Sequence, residues 1–137
     1  MRTGEALVLA CRGASPGKAS GPAVVSTDAI CFYLVDPSSG VVIETGHALE
    51  GRSIASAVLV CPGGKGSSVV QADGLYQLSK AGTAPAAIVV AEFDTVLVAS
   101  AVIIGVPLVR CSPEDFGQIH DGDVLDVDSD REAVTIR

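Results

Sequence analysis

The chain is punctuated by short, uniformly apolar runs separated by glycine- and proline-rich turns. Residues 5–11 (E-A-L-V-L-A-C) form one such run between Gly4 and Gly13, and its length predicts a strand. Residues 12–21 carry Gly13, Ser15, Pro16, Gly17, Ser20 and Gly21 and read as turn, after which 22–26 resume a strand. A further β-prone run covers 30–35. It stops at Asp36-Pro37-Ser38-Ser39-Gly40 and returns over 41–44 as a hairpin partner.

The centre has a different rhythm. Residues 57–61 are wholly apolar, 62–66 form a glycine-rich loop, and 67–81 read as a helix. Val70, Leu75, Tyr76 and Leu78 supply its apolar face and Gly82 ends it. Residues 86–91 make a second buried strand, and 95–104 a second helix with Asp94 as N-cap and Gly105 as terminator. Residues 106–110 form a third strand, where Pro107 points to an edge or a strand start. This β–loop–α–β–α–β order implies parallel strands with right-handed crossovers. A helical turn opens at 112–115, and 123–127 with 133–136 close the chain as a hairpin. The expected fold class is α/β: a single domain, residues 1–137, with β-rich ends around a central β-loop-α-β-α-β unit.

Composition narrows the function classes. Hydrophobic residues make up 48% of the chain and charged ones 18%, which excludes intrinsic disorder. Aromatic residues are only 4%, so Val, Ile, Leu and Ala must fill the core. The apolar fraction is high enough to expect some apolar surface to be covered by another chain. A net charge of −7 argues against nucleic acid as a partner. The longest apolar stretch, 95–109, is interrupted by Ser100, Gly105 and Pro107 and falls short of a membrane span. The apolar run 6–10 is too short for a signal-peptide core, so a cytoplasmic location is expected. Cys11, Cys31, Cys61 and Cys111 lack any metal-site spacing and are expected to be buried, reduced thiols. His47 and His120 lie in loop-like sequence and are expected to face solvent or pack a loop.

One segment carries chemistry: Pro62-Gly63-Gly64-Lys65-Gly66-Ser67-Ser68, between a buried strand and a helix. Its glycines allow close approach of backbone to a ligand, and Ser67 and Ser68 stand where free helix N–H groups favour negative charge. Lys65 adds a mobile positive charge. The result is either an anion cradle for a carboxylate, phosphate or developing alkoxide, or simply a capped glycine turn. It matches neither the Walker A pattern nor G-x-G-x-x-G. Arg52, in Gly51-Arg52-Ser53, is either a surface charge or a second cation at the same end of the sheet. Gly82-Thr83-Ala84-Pro85 reads as a helix-to-strand turn.

These segments together resemble the aconitase X family. The resemblance rests on Gly51-Arg52-Ser53-Ile54-Ala55, on Val58 through Ser68, on Leu75-Tyr76-Gln77-Leu78 and on Gly82-Thr83-Ala84-Pro85-Ala86-Ala87-Ile88. Ile104-Gly105-Val106-Pro107-Leu108-Val109 and the early Cys11-Arg12-Gly13 with Gly17-Lys18-Ala19 extend it over nearly the whole chain. It implies a swivelling β/β/α domain that acts as the small subunit of a heteromeric hydro-lyase. The partner would be a larger catalytic subunit holding an iron–sulfur cluster, with no metal on this chain. Ser67 would be the proton acceptor in dehydration of a β-hydroxy acid; Gly63, Gly64, Lys65, Gly66, Ser68 and Arg52 would bind the small-molecule substrate. The resemblance favours (R)-5-phosphomevalonate, with cis-3-hydroxy-L-proline or a non-catalytic swivelling, ligand-binding module as alternatives. Alone, the chain would be inactive. Ser68 stands where many relatives carry threonine. Val69 replaces the arginine that grips carboxylate in classical aconitases, and residues 31–35 depart from the expected glycine-rich stretch. A serine hydroxyl is a poor base in water, so Ser67 would need the helix N-terminus, loop N–H groups and Lys65 to stabilise its anion.

Overall fold

A computed structural model describes residues 6–137 of the chain; Glu5, the expected first residue of the opening strand, lies outside them. The elements, in chain order, are β1 (Leu7–Ala10), β2 (Arg12–Ser15), β3 (Lys18–Val25), a 3-10 turn (Phe32–Leu34), β4 (Val58–Cys61) and α1 (Ser68–Ala81). They continue with β5 (Ala87–Val90), α2 (Thr95–Ile104), β6 (Leu108–Arg110), α3 (Pro113–Phe116), β7 (Val124–Asp128) and β8 (Ala133–Ile136). The strands run in the order β1-β8-β7-β3-β4-β5-β6-β2.

Two features turn this order into two packed layers. β3 is shared: Lys18 to Pro22 pair antiparallel with β7, whereas Ala23 to Val25 pair parallel with β4. At the far end, β1 pairs with β8 and β2 with β6, yet only Cys11 separates the two strands in the chain. Consecutive Cα atoms are about 3.8 Å apart, so the outermost strands of the order are held together at that residue. An antiparallel layer (β1, β8, β7 and the start of β3) therefore covers a parallel layer (the end of β3, then β4, β5 and β6), with β2 along its margin.

The apolar runs of the central strands follow from burial on both faces. Val58, Val60, Ala87, Val89 and Val109 meet Leu125, Val127, Val134 and Ile136 of the antiparallel layer in one core cluster. On the other face Leu59, Cys61, Ile88, Val90 and Leu108 join Leu75 and Leu78 of α1 and Leu97 and Ala101 of α2 in a second. This β/β/α layering is the arrangement that the resemblance implies. The caps are as expected: Asp94 accepts from Val96 and Leu97 N–H, and Gly82 and Gly105 end their helices in the left-handed conformation.

Several local expectations are overturned. Residues 12–21 are not turn alone, because β2 and the start of β3 fall there; their partners β6 and β7 lie about 90 or more residues away and leave no local signal. Residues 30–35 are not a strand: Ile30 bridges Gly64, and Phe32–Leu34 coil into the 3-10 turn that packs on α1. That packing requires Gly74, where a Cβ would stand 2.7 Å from the Phe32 carbonyl carbon. The buried face of α1 is Gln71, Gly74, Leu75 and Leu78, and Tyr76 is exposed. Pro107 precedes β6, marking a strand start. His47 is buried; its Nδ1 accepts from Leu49 N–H, so Nε2 carries the proton donated to the Ala29 carbonyl at 2.9 Å. Thr83, in the helix-to-strand turn, donates to the distant Pro37 carbonyl at 2.8 Å. No helix among the described residues is long and apolar enough to cross a membrane.

All four cysteines are free thiols; Cys11, Cys61 and Cys111 are buried, and Cys31 is half-buried. Burial pushes the Cys61 thiol up to about 12. A thiol so shifted keeps its proton in the folded state while the unfolded chain releases it, so folding loses ground as pH climbs above the ordinary thiol value of 9.0. Urea unfolding followed from pH 8 to pH 10.5 should show stability falling above that value, by up to about 1.4 kcal/mol per pH unit from Cys61. Burial also raises the Cys11 and Cys111 thiols, to about 12 and about 11, so Cys61→Ala should make the fall shallower without removing it; identical slopes in the two proteins would contradict this account.

Candidate active site

The glycine loop leaves β4 at the C-terminal end of the parallel strands, where open α/β sheets bind ligands. Backbone bonds anchor it from one side: Ile30 N–H donates to the Gly63 carbonyl at 3.0 Å and Lys65 N–H to the Ile30 carbonyl at 2.9 Å. Gln71 holds it from below. This side chain is 4% exposed, and its Nε2 donates to the Gly66 carbonyl at 3.1 Å and to Asp94 Oδ2 at 3.4 Å. Its Oε1 is buried without a partner, directed at Gly64, where a Cβ would stand only 2.3 Å away. Gly64 is thus required for space. Gly66, at φ +105°, is required for conformation.

Ser67 caps α1, with extended backbone and an Oγ that accepts Val70 N–H at 3.3 Å. The hydroxyl is at the surface, not turned into the core. Capping and anion stabilisation are here the same interaction: an N–H that steadies the neutral hydroxyl would steady its ionised form more strongly. Ser68 is the first helical residue and is also exposed. Gly63 and Gly64 line a hollow with Ala29, Glu92, Phe93 and Asp94.

The two cations behave differently from the simplest expectation. Lys65 lies on the loop, but its Nζ donates to Glu44 Oε2 at 2.6 Å. That hydrogen bond, with the Glu44 charge, holds the ammonium above the ordinary lysine value against the opposing effect of desolvation. Its charge is therefore offset within the chain. Arg52 Nη1 pairs with Asp121 Oδ1 at 3.0 Å, and the same oxygen accepts Val25 N–H at the end of β3. Burial pushes the Asp121 carboxyl up, but the bonds from Val25 and Arg52 and the Arg52 charge outweigh it and lower it overall. Arg52 thus sits at the loop's end of the sheet, engaged by Asp121.

Gln71 and Glu44 were not visible as site residues in the sequence. Gln71 had one signal: with Gly74, Leu75 and Leu78 it completes an i, i+3, i+4, i+7 stripe. Glu44 had none, since it reaches Lys65 across 21 residues. Among the described residues no grouping of His, Cys, Asp or Glu is suited to hold a metal ion.

Comparison with known proteins identifies the family and the fold. The family described as "Aconitase X swivel domain" matches residues 8–136. The chain is 46% identical over 114 residues to the phosphomevalonate dehydratase small subunit of Methanocella arvoryzae, covering 82% of this chain and 86% of that one. It is 43% identical over 129 residues to the protein of the same name from Methanothrix thermoacetophila, covering 93% of each. The crystal structure of Thermococcus kodakaraensis aconitase X in its holo-form superposes with a TM-score of 0.88 at 35% identity, covering 96% of this chain and 98% of that one.

Gly64→Ala is expected to dislodge Gln71 and cost about 1–3 kcal/mol, as overpacking at a filled position does. Because both changes act on one contact, Gly64→Ala and Gln71→Ala should be strongly non-additive in chemical denaturation. Simple additivity would show that the carboxamide does not fill the space beneath Gly64.

Proposed function

The chain belongs to the aconitase X swivel-domain family, and from that membership we propose that it is the small subunit of a two-subunit hydro-lyase that dehydrates (R)-5-phosphomevalonate. The observation that carries the reading is Ser67: an exposed hydroxyl at the N-terminus of α1, placed after a glycine loop that is locked from beneath. Identity of 38–46% to relatives named phosphomevalonate dehydratase small subunit favours this substrate over cis-3-hydroxy-L-proline. Residues 1–137 act as one swivelling domain in a cytoplasmic complex.

In this reading the ionised Ser67 accepts the proton α to the substrate carboxylate as the β-hydroxyl departs as hydroxide, and return of that proton from Ser67 to the hydroxide gives water and restores the base. The Val70 N–H and the α1 dipole lower the energy of the ionised serine, Gly63 and Gly64 let substrate approach the backbone along their hollow, and Gly66 supplies the turn that sets Ser67. Lys65 contributes as a Lys65–Glu44 pair that braces the loop, and Ser68 supplies a second hydroxyl at the helix start. Arg52 with Asp121 borders the same end of the sheet. The iron–sulfur cluster implied by the family belongs to the large subunit; the described residues of this chain do not form a site for it. Water exclusion by that subunit would strengthen the dipoles around Ser67, which in the separate chain face solvent. The separate chain is therefore inactive.

Reconstitution with the large subunit, followed by assay of phosphomevalonate dehydration, tests the reading. Ser67→Ala should lower kcat by about 10²–10⁴-fold, the usual range for a lost general base, with assembly intact. Ser67→Asn keeps a helix cap but has no ionisable hydroxyl, and it should be equally inactive. Turnover of Ser67→Asn within about threefold of the parent would mean the residue only caps α1.

A further inference from the structure

We propose that Arg12 and Arg110 form an anion subsite that holds the phosphate group of the substrate, an inference that rests on the dehydratase reading above. The two residues are direct cross-strand partners on β2 and β6, so their side chains leave the same face side by side. Like charges in that position are destabilising, and the chain has only nine lysines and arginines to place. Among the described residues no carboxylate forms an ion pair with either guanidinium, and the Arg12 side chain has no hydrogen-bond partner. Arg110 uses only Nε, on the Ala91 carbonyl at 3.0 Å, which fixes its plane and leaves its terminal nitrogens free.

The pair lines a hollow with Gly13, Glu92, Phe93 and Glu132. Glu92 and Phe93 also line the hollow of the Gly63–Gly64 loop, so the two adjoin along the C-terminal ends of the parallel strands. β4, which the loop follows, and β6, which Arg110 ends, are two strand steps apart, or roughly 10 Å. An extended hydroxy acid lying along the Gly63–Gly64 hollow can place a remote anionic group at the arginines, whose long side chains close the remaining gap. Two guanidinium groups side by side match the several oxygens of a phosphomonoester better than a second carboxylate. Glu132 Oε2 is occupied by Gly13 N–H, and Glu92 and Glu132 together offset the local charge. Retention therefore depends on directed guanidinium hydrogen bonds more than on net charge, and lysine is a poor substitute.

Two measurements test this. In the separate full-length chain, inorganic phosphate at constant ionic strength should produce saturable NMR shifts at the Arg12 and Arg110 side chains and the Phe93 amide, and Arg12→Gln with Arg110→Gln should abolish them. In the reconstituted complex, Arg12→Gln and Arg110→Gln should each raise KM for phosphomevalonate by 10-fold or more while kcat changes less than threefold. Arg12→Lys should restore less than half of that loss. Absence of saturable shifts, an unchanged KM, or weakened subunit association with normal KM at saturating large subunit would overturn the proposal, the last making the pair a docking contact. The two readings fail separately: an inactive Ser67→Asn beside normal arginine variants removes only the subsite. An active Ser67→Asn with phosphate still bound at the arginines removes only the base.

Discussion

The site depends on a missing side chain. Where Gly64 would carry a Cβ, the carboxamide of Gln71 already stands, and from there it ties the Gly66 carbonyl to the N-cap of α2. The loop is thus fixed by a group inside the fold, while its outer surface stays free for a ligand. The unpaired Gln71 Oε1 is the cost of that arrangement, a buried acceptor retained so that its nitrogen can hold two elements in register. With the loop so held, Ser67 begins α1 at a set angle and its hydroxyl meets the helix N–H groups.

Electrostatics at this end of the sheet is correspondingly local. Lys65 and Arg52, the obvious cations, are each engaged by a carboxylate of the same chain. What remains to favour an anion near Ser67 is oriented backbone, which needs no counter-charge and little reorganisation but is weakened by water. In the proposed dehydratase this is a reason for two subunits: one presents the dipoles, and the other closes over them. Apolar side chains left at the surface, such as Val69, Val102 and Ile103, fit a chain whose apolar content exceeds what its own core uses.

The sheet itself makes the C-terminal strand ends available. Because Cys11 alone joins β1 to β2, and β3 serves both layers, the antiparallel strands cover one face of the parallel strands and the helices cover the other. The C-terminal strand ends are left open, and β4, β5 and β6 present their loops there together. Arg12 enters this region because β2 returns to the margin of β6.

The amino-acid order alone settled what is decided within a few residues. The caps at Asp94, Gly82 and Gly105, the buried runs of β4 and β5, and the position of Ser67 at a helix start all follow from spacing, since each involves bonds spanning one or two helical turns or the pleat of one strand. Contacts between distant segments were settled only by the folded chain. Residues 12–21 read as turn because their strand partners are remote; residues 30–35 read as strand because nothing local reveals Gly74 waiting to receive a 3-10 turn. Gln71 beneath Gly64, Glu44 on Lys65 and Arg12 opposite Arg110 are juxtapositions of the same kind. They arise when loop closure brings far-separated groups together, and the pairing of such groups has no period for a sequence to display.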